Sequence, residues 1–186
     1  DQLDGERSYH FFYQLCLGVP ENMQKELWID SPDKFKFLSD SNSHLIKHAY
    51  MGGASSSDEA DFKAVDEAFK IVGVEQDIVT EIYKVVSAVL HLGNIRFVEK
   101  DDSHTATGTS ISGVESSCKR SLQAICSLLG FHKEDFMESV TTKSTNAGGN
   151  TIISKVSKEA AEQSVISLAK AANVLKRPAA AAQGAA

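Results

Sequence analysis

The stretch from Ile78 to Leu92 constrains this chain more than any other. Ile78, Ile82, Val85, Val89 and Leu92 stand at i, i+4, i+7, i+11 and i+14, an apolar stripe of helical period. Val86, Ala88 and Leu90 widen the stripe until little of the helix is left to face water. A helix apolar nearly all round belongs in the middle of a larger body. Its end is written Leu90-His91-Leu92-Gly93-Asn94, and the chain leaves as an extended-looking Ile95-Arg96-Phe97. No apolar run reaches the ~18–20 residues that cross a bilayer, so no membrane partner is expected and protein has to cover this surface.

The rest of the composition is compatible with that demand. The chain has 186 residues, 42% of them hydrophobic and 24% charged, a globular balance that can bury a core. A formal net charge of −6 argues against nucleic acid, because phosphate binding needs a basic surface. The three cysteines, Cys16, Cys118 and Cys126, are odd in number and lack CxxC spacing, so they read as reduced packing residues.

Helical patterns dominate the chain. The first has Asp4 as N-cap, Tyr9, Phe12, Tyr13 and Cys16 on one face, and Gly18 at its end. A short helix follows Pro20, with Val19, Met23 and Leu27 four apart. Residues 30–58 are looser, and the Gly- and Ser-rich run at 52–57 reads as a loop. Asp58 or Asp61 opens the next helix, with Phe62, Val65, Phe69 and Val72 buried and Gly73 closing it. Beyond Phe97, the polar run from Glu99 to Gly113 reads as an exposed loop. Leu122, Ile125 and Leu129 mark another helix, and Phe136 and Val140 a short one. From Thr141 to Val156, β-branched residues flank Gly148-Gly149-Asn150, the pattern of a hairpin. Ser157 then caps a last helix with Ala161, Val165, Leu168 and Ala172 on one side. The expected fold is mainly α, several packed helices with a small hairpin-like excursion near 141–156. Residues 1–172 form the folded part, and 173–186 read as an Ala-rich disordered or non-native tail.

Catalytic motifs are missing from the sequence. It holds no G-x-x-x-x-G-K-[ST] phosphate loop, no G-x-G-x-x-G and no H-E-x-x-H. Of the six histidines only His44 and His48 share a helical i, i+4 spacing, in a segment without a clear helical face. No catalytic, cofactor-binding or metal-binding residue is therefore assigned.

Three segments in order carry a resemblance: Glu6-Arg7-Ser8-Tyr9-His10-Phe11-Phe12-Tyr13-Gln14-Leu15, Asp61-Phe62 through Val72-Gly73-Val74, and Leu90-His91-Leu92-Gly93-Asn94-Ile95-Arg96-Phe97. Together with residues 127–171 they resemble the myosin motor domain, over roughly residues 5–171. The resemblance implies the upper 50-kDa subdomain of a larger P-loop NTPase motor head. In that head this chain supplies scaffold and part of the actin-binding face. ATP and Mg²⁺ would belong to other parts of the parent, an actin-activated ATPase, and the chain alone would be inactive. The implied partners are the actin filament and the remainder of the head, in a cytoplasmic, cytoskeleton-associated setting. The alternative is a non-catalytic helical binding module derived from such a head.

Two surface segments follow from the resemblance. Glu99 to Gly113 matches the family's loop 4, and there Glu99, Asp101 and Asp102 outnumber Lys100, so it should repel an acidic filament. Thr141 to Lys155 matches the cardiomyopathy loop and carries no carboxylate. Its candidate filament contacts are Lys143, Ile152, Ile153 and Lys155. Strand alternation would put one of the two isoleucines against the core. The sequence departs from the family at Ser8, which replaces an Asn, at Lys143 where an Arg is frequent, and at Val165-Ile166, which replace an Arg-Asp pair.

Overall fold

A computed structural model describes residues 7–39, 57–105 and 108–175. Asp4, the Gly- and Ser-rich run up to Ser56, His44 and His48, and the Ala-rich end from 176 lie outside the described residues. The chain divides into two compact units, Asp1–Asn94 and Ile95–Ala186.

In the first unit, α1 (His10–Gly18), α2 (Glu21–Glu26), a 3-10 turn (Pro32–Lys34) and the short α3 (Lys36–Ser39) precede the long helices α4 (Asp58–Ile71) and α5 (Gln76–Gly93). The cap of α4 is Ser57, whose hydroxyl accepts from the Ala60 amide at 3.2 Å, and Asp58 is free to pair elsewhere. Asp58 Oδ2 takes the Arg7 guanidinium at 2.8 Å, and the same guanidinium lies 4.0 Å from the Tyr13 ring centroid. One arginine thus joins the approach to α1 to the start of α4. At the other end of α1 a Cβ on Gly18 would collide with Phe62 Cβ, so only glycine admits this approach. Phe11, Phe62 and Phe69 surround Tyr83 with ring centroids 5.4–6.4 Å away, and the Tyr83 hydroxyl donates to Asp66 Oδ1 at 3.1 Å. Burial and the Asp66 carboxylate push the Tyr83 phenol well above its ordinary range, which keeps it a donor.

Tyr83 also corrects the expected stripe. The buried line on α5 is Val79, Tyr83, Val86 and Leu90, while Ile78 is 52% exposed and Ile82 and Val85 are half-buried. Apolar residues stand side by side along this helix, so two stripes fit the period, and the large ring chose between them. The first half of α5 faces water on one side, contrary to expectation, but every residue from Val86 to Gly93 is buried. On α4 only Phe62 is fully buried; Val65 and Phe69 are half-buried, and Val72 stands out in water. Tyr9 at the head of α1 is likewise exposed.

The end of α5 grips residues 27–37 through Ser87, His91 and Gly93 and through the C-cap Asn94. The Ser87 hydroxyl donates to the Leu27 carbonyl, and His91 Nε2 donates to the Trp28 carbonyl at 3.0 Å. Trp28 sits at φ 57, a left-handed conformation that a non-glycine residue adopts at a cost of about 1–2 kcal/mol. Gly93 lets Phe37 lie where a Cβ would be 2.7 Å from its ring. Asn94 closes the seam: its Oδ1 accepts from the Lys36 amide and its Nδ2 donates to the Lys34 carbonyl, both at 2.8 Å. The Leu-His-Leu-Gly-Asn motif is therefore a non-local clamp as well as a helix end.

The second unit runs β1 (Phe97–Asp101), β2 (Thr109–Val114), a 3-10 turn (Ser116–Cys118), α6 (Lys119–Leu129), α7 (Lys133–Thr141), β3 (Thr142–Ala147), β4 (Asn150–Lys155) and α8 (Lys158–Leu175). Its core gathers Ile95, Phe97, Leu122, Ile125, Phe136, Val140, Ala161 and Val165, all buried. Residue 165, where the resemblance implies an arginine, is thus an apolar core position. The α8 face is Ala161, Val165 and Ala169; Leu168 lies at its edge, and the helix continues through Leu175, beyond the end expected at 172. Ser157 caps it by accepting from the Ala160 amide.

The expected loop at 99–113 is a hairpin. β1 and β2 pair antiparallel, Phe97 with Val114 and Asp101 with Thr109, around an irregularity at Val98–Glu99. Ser110 and Ser112 looked like loop composition, yet a strand needs only paired backbone and one face to bury, and Ser110 is that buried residue. The hairpin expected near 141–156 is present as β3 and β4.

Candidate functional site

Thr142, Lys143, Ser144, Thr145, Asn146 and Ala147 pair in order with Lys155, Ser154, Ile153, Ile152, Thr151 and Asn150. Gly148 and Gly149 have φ of 58° and 83°, the two positive values that a tight two-residue turn demands. Alternation then sorts the ribbon into two faces. Lys143, Thr145, Ile152 and Ser154 share one; Thr142, Ser144, Ile153 and Lys155 share the other.

Neither face is covered. Ile152 is 53% and Ile153 64% exposed, and all of β4 faces water. This overturns the expectation that one isoleucine packs on the core. Alternation buries every second residue only where a layer lies beneath the strand, and this ribbon has none. Ile152 and Ile153 thus stand exposed on opposite faces of a ribbon that carries lysines and no carboxylate.

The four candidate residues are not equivalent. Lys143 is exposed, and among the described residues its ammonium has no hydrogen-bond or ion-pair partner. Lys155 Nζ instead lies 3.1 Å from Asp102 Oδ2. Asp102 follows β1 in the turn, where its Oδ1 accepts from the His104 amide at 3.1 Å and its own amide donates to the Gly108 carbonyl at 2.8 Å. Neighbouring Ser110, the Lys155 ammonium and the His104 amide hold the Asp102 carboxyl down to about 2. Ser110 Oγ closes no hydrogen bond of good geometry, and the contacts that do close on this carboxylate are those of Lys155 and the His104 amide. Glu99, Lys100 and Asp101 are exposed along β1, with Glu99 accepting from the Thr109 hydroxyl at 3.0 Å. The acidic stretch expected to face a partner thus divides into three exposed side chains and one engaged carboxylate. Sequence separation hides this pairing, since Asp102 and Lys155 are 53 positions apart.

Elsewhere in this unit an open groove of about 540 Å³ is lined by residues of β2, α6 and α7, among them Lys119, Leu122, Cys126, Lys133 and Met137. Burial first, then Glu134, raises the Cys126 thiol, and burial raises the Cys16 thiol further. These are poor nucleophiles, as packing cysteines should be. Among the described residues no three His, Cys, Asp or Glu side chains are placed to hold a metal ion, and no helix is long and apolar enough to cross a membrane.

The family model described as myosin head (motor domain) matches residues 1–174. Myosin-2B of Naumovozyma castellii is 29% identical over 84% of this chain and 10% of its own length. Unconventional myosin-VI of Homo sapiens is 31% identical over 77% of this chain and 12% of its own length. Unconventional myosin-Ic-A of Xenopus laevis is 29% identical over 91% of this chain and 15% of its own length. The chain therefore spans between a tenth and a sixth of these relatives. With nearly its whole length matched by the family model, the chain belongs to the myosin head (motor domain) family.

Proposed function

We propose that these residues are part of an ATP-driven, actin-based motor, and that they supply the upper 50-kDa scaffold and a filament-facing hairpin. On this reading residues 1–172 are that subdomain, and the motor works in the cytoplasm on the cytoskeleton. The observation that carries the reading is the β3–β4 ribbon, which holds Lys143, Ile152 and Ile153 in water with no acidic residue among them. A filament with an acidic surface is met first by charge and then by apolar contact. The face shared by Lys143 and Ile152 offers both chemistries side by side, so it is the better candidate of the two.

The β1–β2 hairpin serves a different purpose in this account. Its exposed Glu99 and Asp101 disfavour an acidic partner and restrict the approach to the ribbon. The nucleotide site lies outside these residues. Phosphoryl transfer needs a phosphate-cradling loop with its lysine and a hydroxyl on Mg²⁺, and the sequence has no such motif. On this reading ATP and Mg²⁺ belong to other segments of the complete head. The 186-residue chain alone should not hydrolyse ATP; turnover above a boiled control that chelation abolishes would contradict this.

The test of the filament reading is co-sedimentation without ATP, using a complete head that carries this sequence. Lys143→Glu should weaken filament binding at low salt, and the difference should fade as ionic strength rises and screening shortens to about 8 Å and below. Unchanged binding at low salt would place the interface elsewhere.

A further inference from the structure

We propose that Asp102 and Lys155 form a clamp that sets the angle of the β3–β4 hairpin, so that Lys155 positions the filament-facing surface and does not touch the filament. The inference rests on the filament reading above and deepens it.

Lys155 ends β4 and pairs with Thr142, which puts it at the foot of the hairpin, opposite the Gly148–Gly149 turn. Five residue steps of about 3.4 Å separate foot from tip, roughly 17 Å. A rotation of about 10° at the foot therefore displaces the tip by roughly 3 Å, enough to lose any hydrogen-bonded contact made there. The restraints on such a rotation gather at the foot. The ribbon has no layer against β4, and its ladder bonds turn with it. At the foot, Val156 N donates to the Thr141 carbonyl and the Thr142 hydroxyl to the Glu138 carbonyl, both ties to α7 or its last residue. Beside these ties to α7, the hydrogen bond from Lys155 to Asp102 joins the ribbon to the turn of the β1–β2 hairpin.

The two ends of the clamp differ in freedom. The Asp102 side chain is 14% exposed and fixed by its turn, through the His104 amide and its own bonded backbone; the Lys155 side chain is 59% exposed. Surface ion pairs usually contribute little, because two long side chains must be ordered to make them. Here the carboxylate is ordered in advance, and only the lysine loses freedom. Direct use of Lys155 by a filament would break this pair and release the foot. Lys143 stands on the other face and carries no such penalty.

The experiment compares a complete head carrying this sequence with its Asp102→Lys, Lys155→Asp, Lys155→Arg and Lys143→Glu variants, and with the double exchange Asp102→Lys/Lys155→Asp. Two quantities are read: filament affinity without ATP at low salt, and amide hydrogen exchange across residues 142–155. The clamp requires that each single reversal weaken binding about three- to fivefold, the upper end for one exposed ion pair, and speed exchange. The double exchange should bring both back to within about twofold, and Lys155→Arg should preserve both. If Lys155 touches the filament, Asp102→Lys will not weaken binding, and the double exchange will be as weak as Lys155→Asp; either result overturns the proposal. Exchange rates identical in all variants would remove the clamp whatever the affinities do. Should Lys143→Glu bind normally while exchange follows the clamp pattern, the clamp stands and the filament reading falls.

Discussion

The seam around residues 27–37 and the ribbon at 142–155 solve opposite problems with similar numbers of residues. The seam is held from outside its own segment. Ser87, His91, Gly93 and Asn94 each meet a different point of it, three by hydrogen bonds to main chain and one by leaving room for Phe37. The ribbon is held almost wholly from within, by its own ladder and a two-glycine turn, and both its faces stay in water. Side chain-to-backbone bonds across long sequence distances fix a conformation regardless of its local preference, even Trp28 in a left-handed well. A self-paired ribbon fixes only its own shape and leaves its surface for another molecule. The difference teaches where the chain is scaffold and where it presents.

That contrast predicts large stability effects in the seam and small ones in the ribbon. Leu90→Asp is the extreme case: Leu90 is fully buried on a helix end that is itself buried on all sides. An unpaired carboxylate there costs several kcal/mol, comparable with the whole stability of a domain. Loss of the cooperative thermal transition by circular dichroism is expected; a melt within a few degrees of wild type would show that α5 is not central. Gly93→Ala comes next. The added methyl would lie 2.7 Å from the Phe37 ring, an overpacking worth about 1–3 kcal/mol. A lowered Tm is expected, with part of the loss recovered by Phe37→Leu in the same chain. If the second substitution only adds to the loss, the close approach is not what glycine provides.

The motif at the end of α5 was legible as a sequence, but its work was not. Periodicity and the Gly-Asn pair announced a helix end. Nothing local revealed that His91 and Asn94 reach main chain about 60 positions away. The same limit explains the misread stripe, where tertiary packing of Tyr83 among three phenylalanines selected one of two equally periodic faces. In the second unit, turn chemistry made the β3–β4 hairpin readable, because a Gly-Gly pair between β-branched runs has few alternatives. The β1–β2 hairpin was hidden by Ser and Thr, which signal loop by composition and strand only when a partner is known. For the candidate site, residue types were visible in the sequence. The inequality of Lys143 and Lys155 was not, since it depends on a carboxylate in another hairpin.

A finer prediction bears on the Asp102–Lys155 link between the two hairpins. The Asp102 carboxyl is depressed to about 2, with Ser110, Lys155 and the His104 amide as causes. A depressed folded value means that its contribution is complete above the ordinary carboxylate range and disappears as pH falls toward 2. The tie should therefore persist at neutral pH and loosen only in strong acid. Carbon-detected NMR of the Asp102 carboxyl should give a midpoint near 2. Lys155→Gln should move it upward, and a midpoint insensitive to Lys155 would assign the shift to the turn alone.

The smallest stability effect belongs to the isoleucines of the ribbon. Ile152 and Ile153 are each more than half exposed and have no layer beneath them, so replacing either by Ser removes little buried area. The change in unfolding free energy should stay within about 0.5 kcal/mol, as for ordinary surface positions. Serine is a poorer strand former than isoleucine, which argues for a slight loss and not a gain. Binding should separate the pair where stability does not. Ile152 shares its face with Lys143, and Ile153 shares the other with the clamped Lys155. In a complete head, Ile152→Ser should therefore reduce ATP-free filament binding more than Ile153→Ser, at equal Tm. The reverse order would turn the working face of the ribbon around. A drop in Tm of several degrees for either variant would mean that the ribbon is covered after all, and that it belongs with the seam as scaffold.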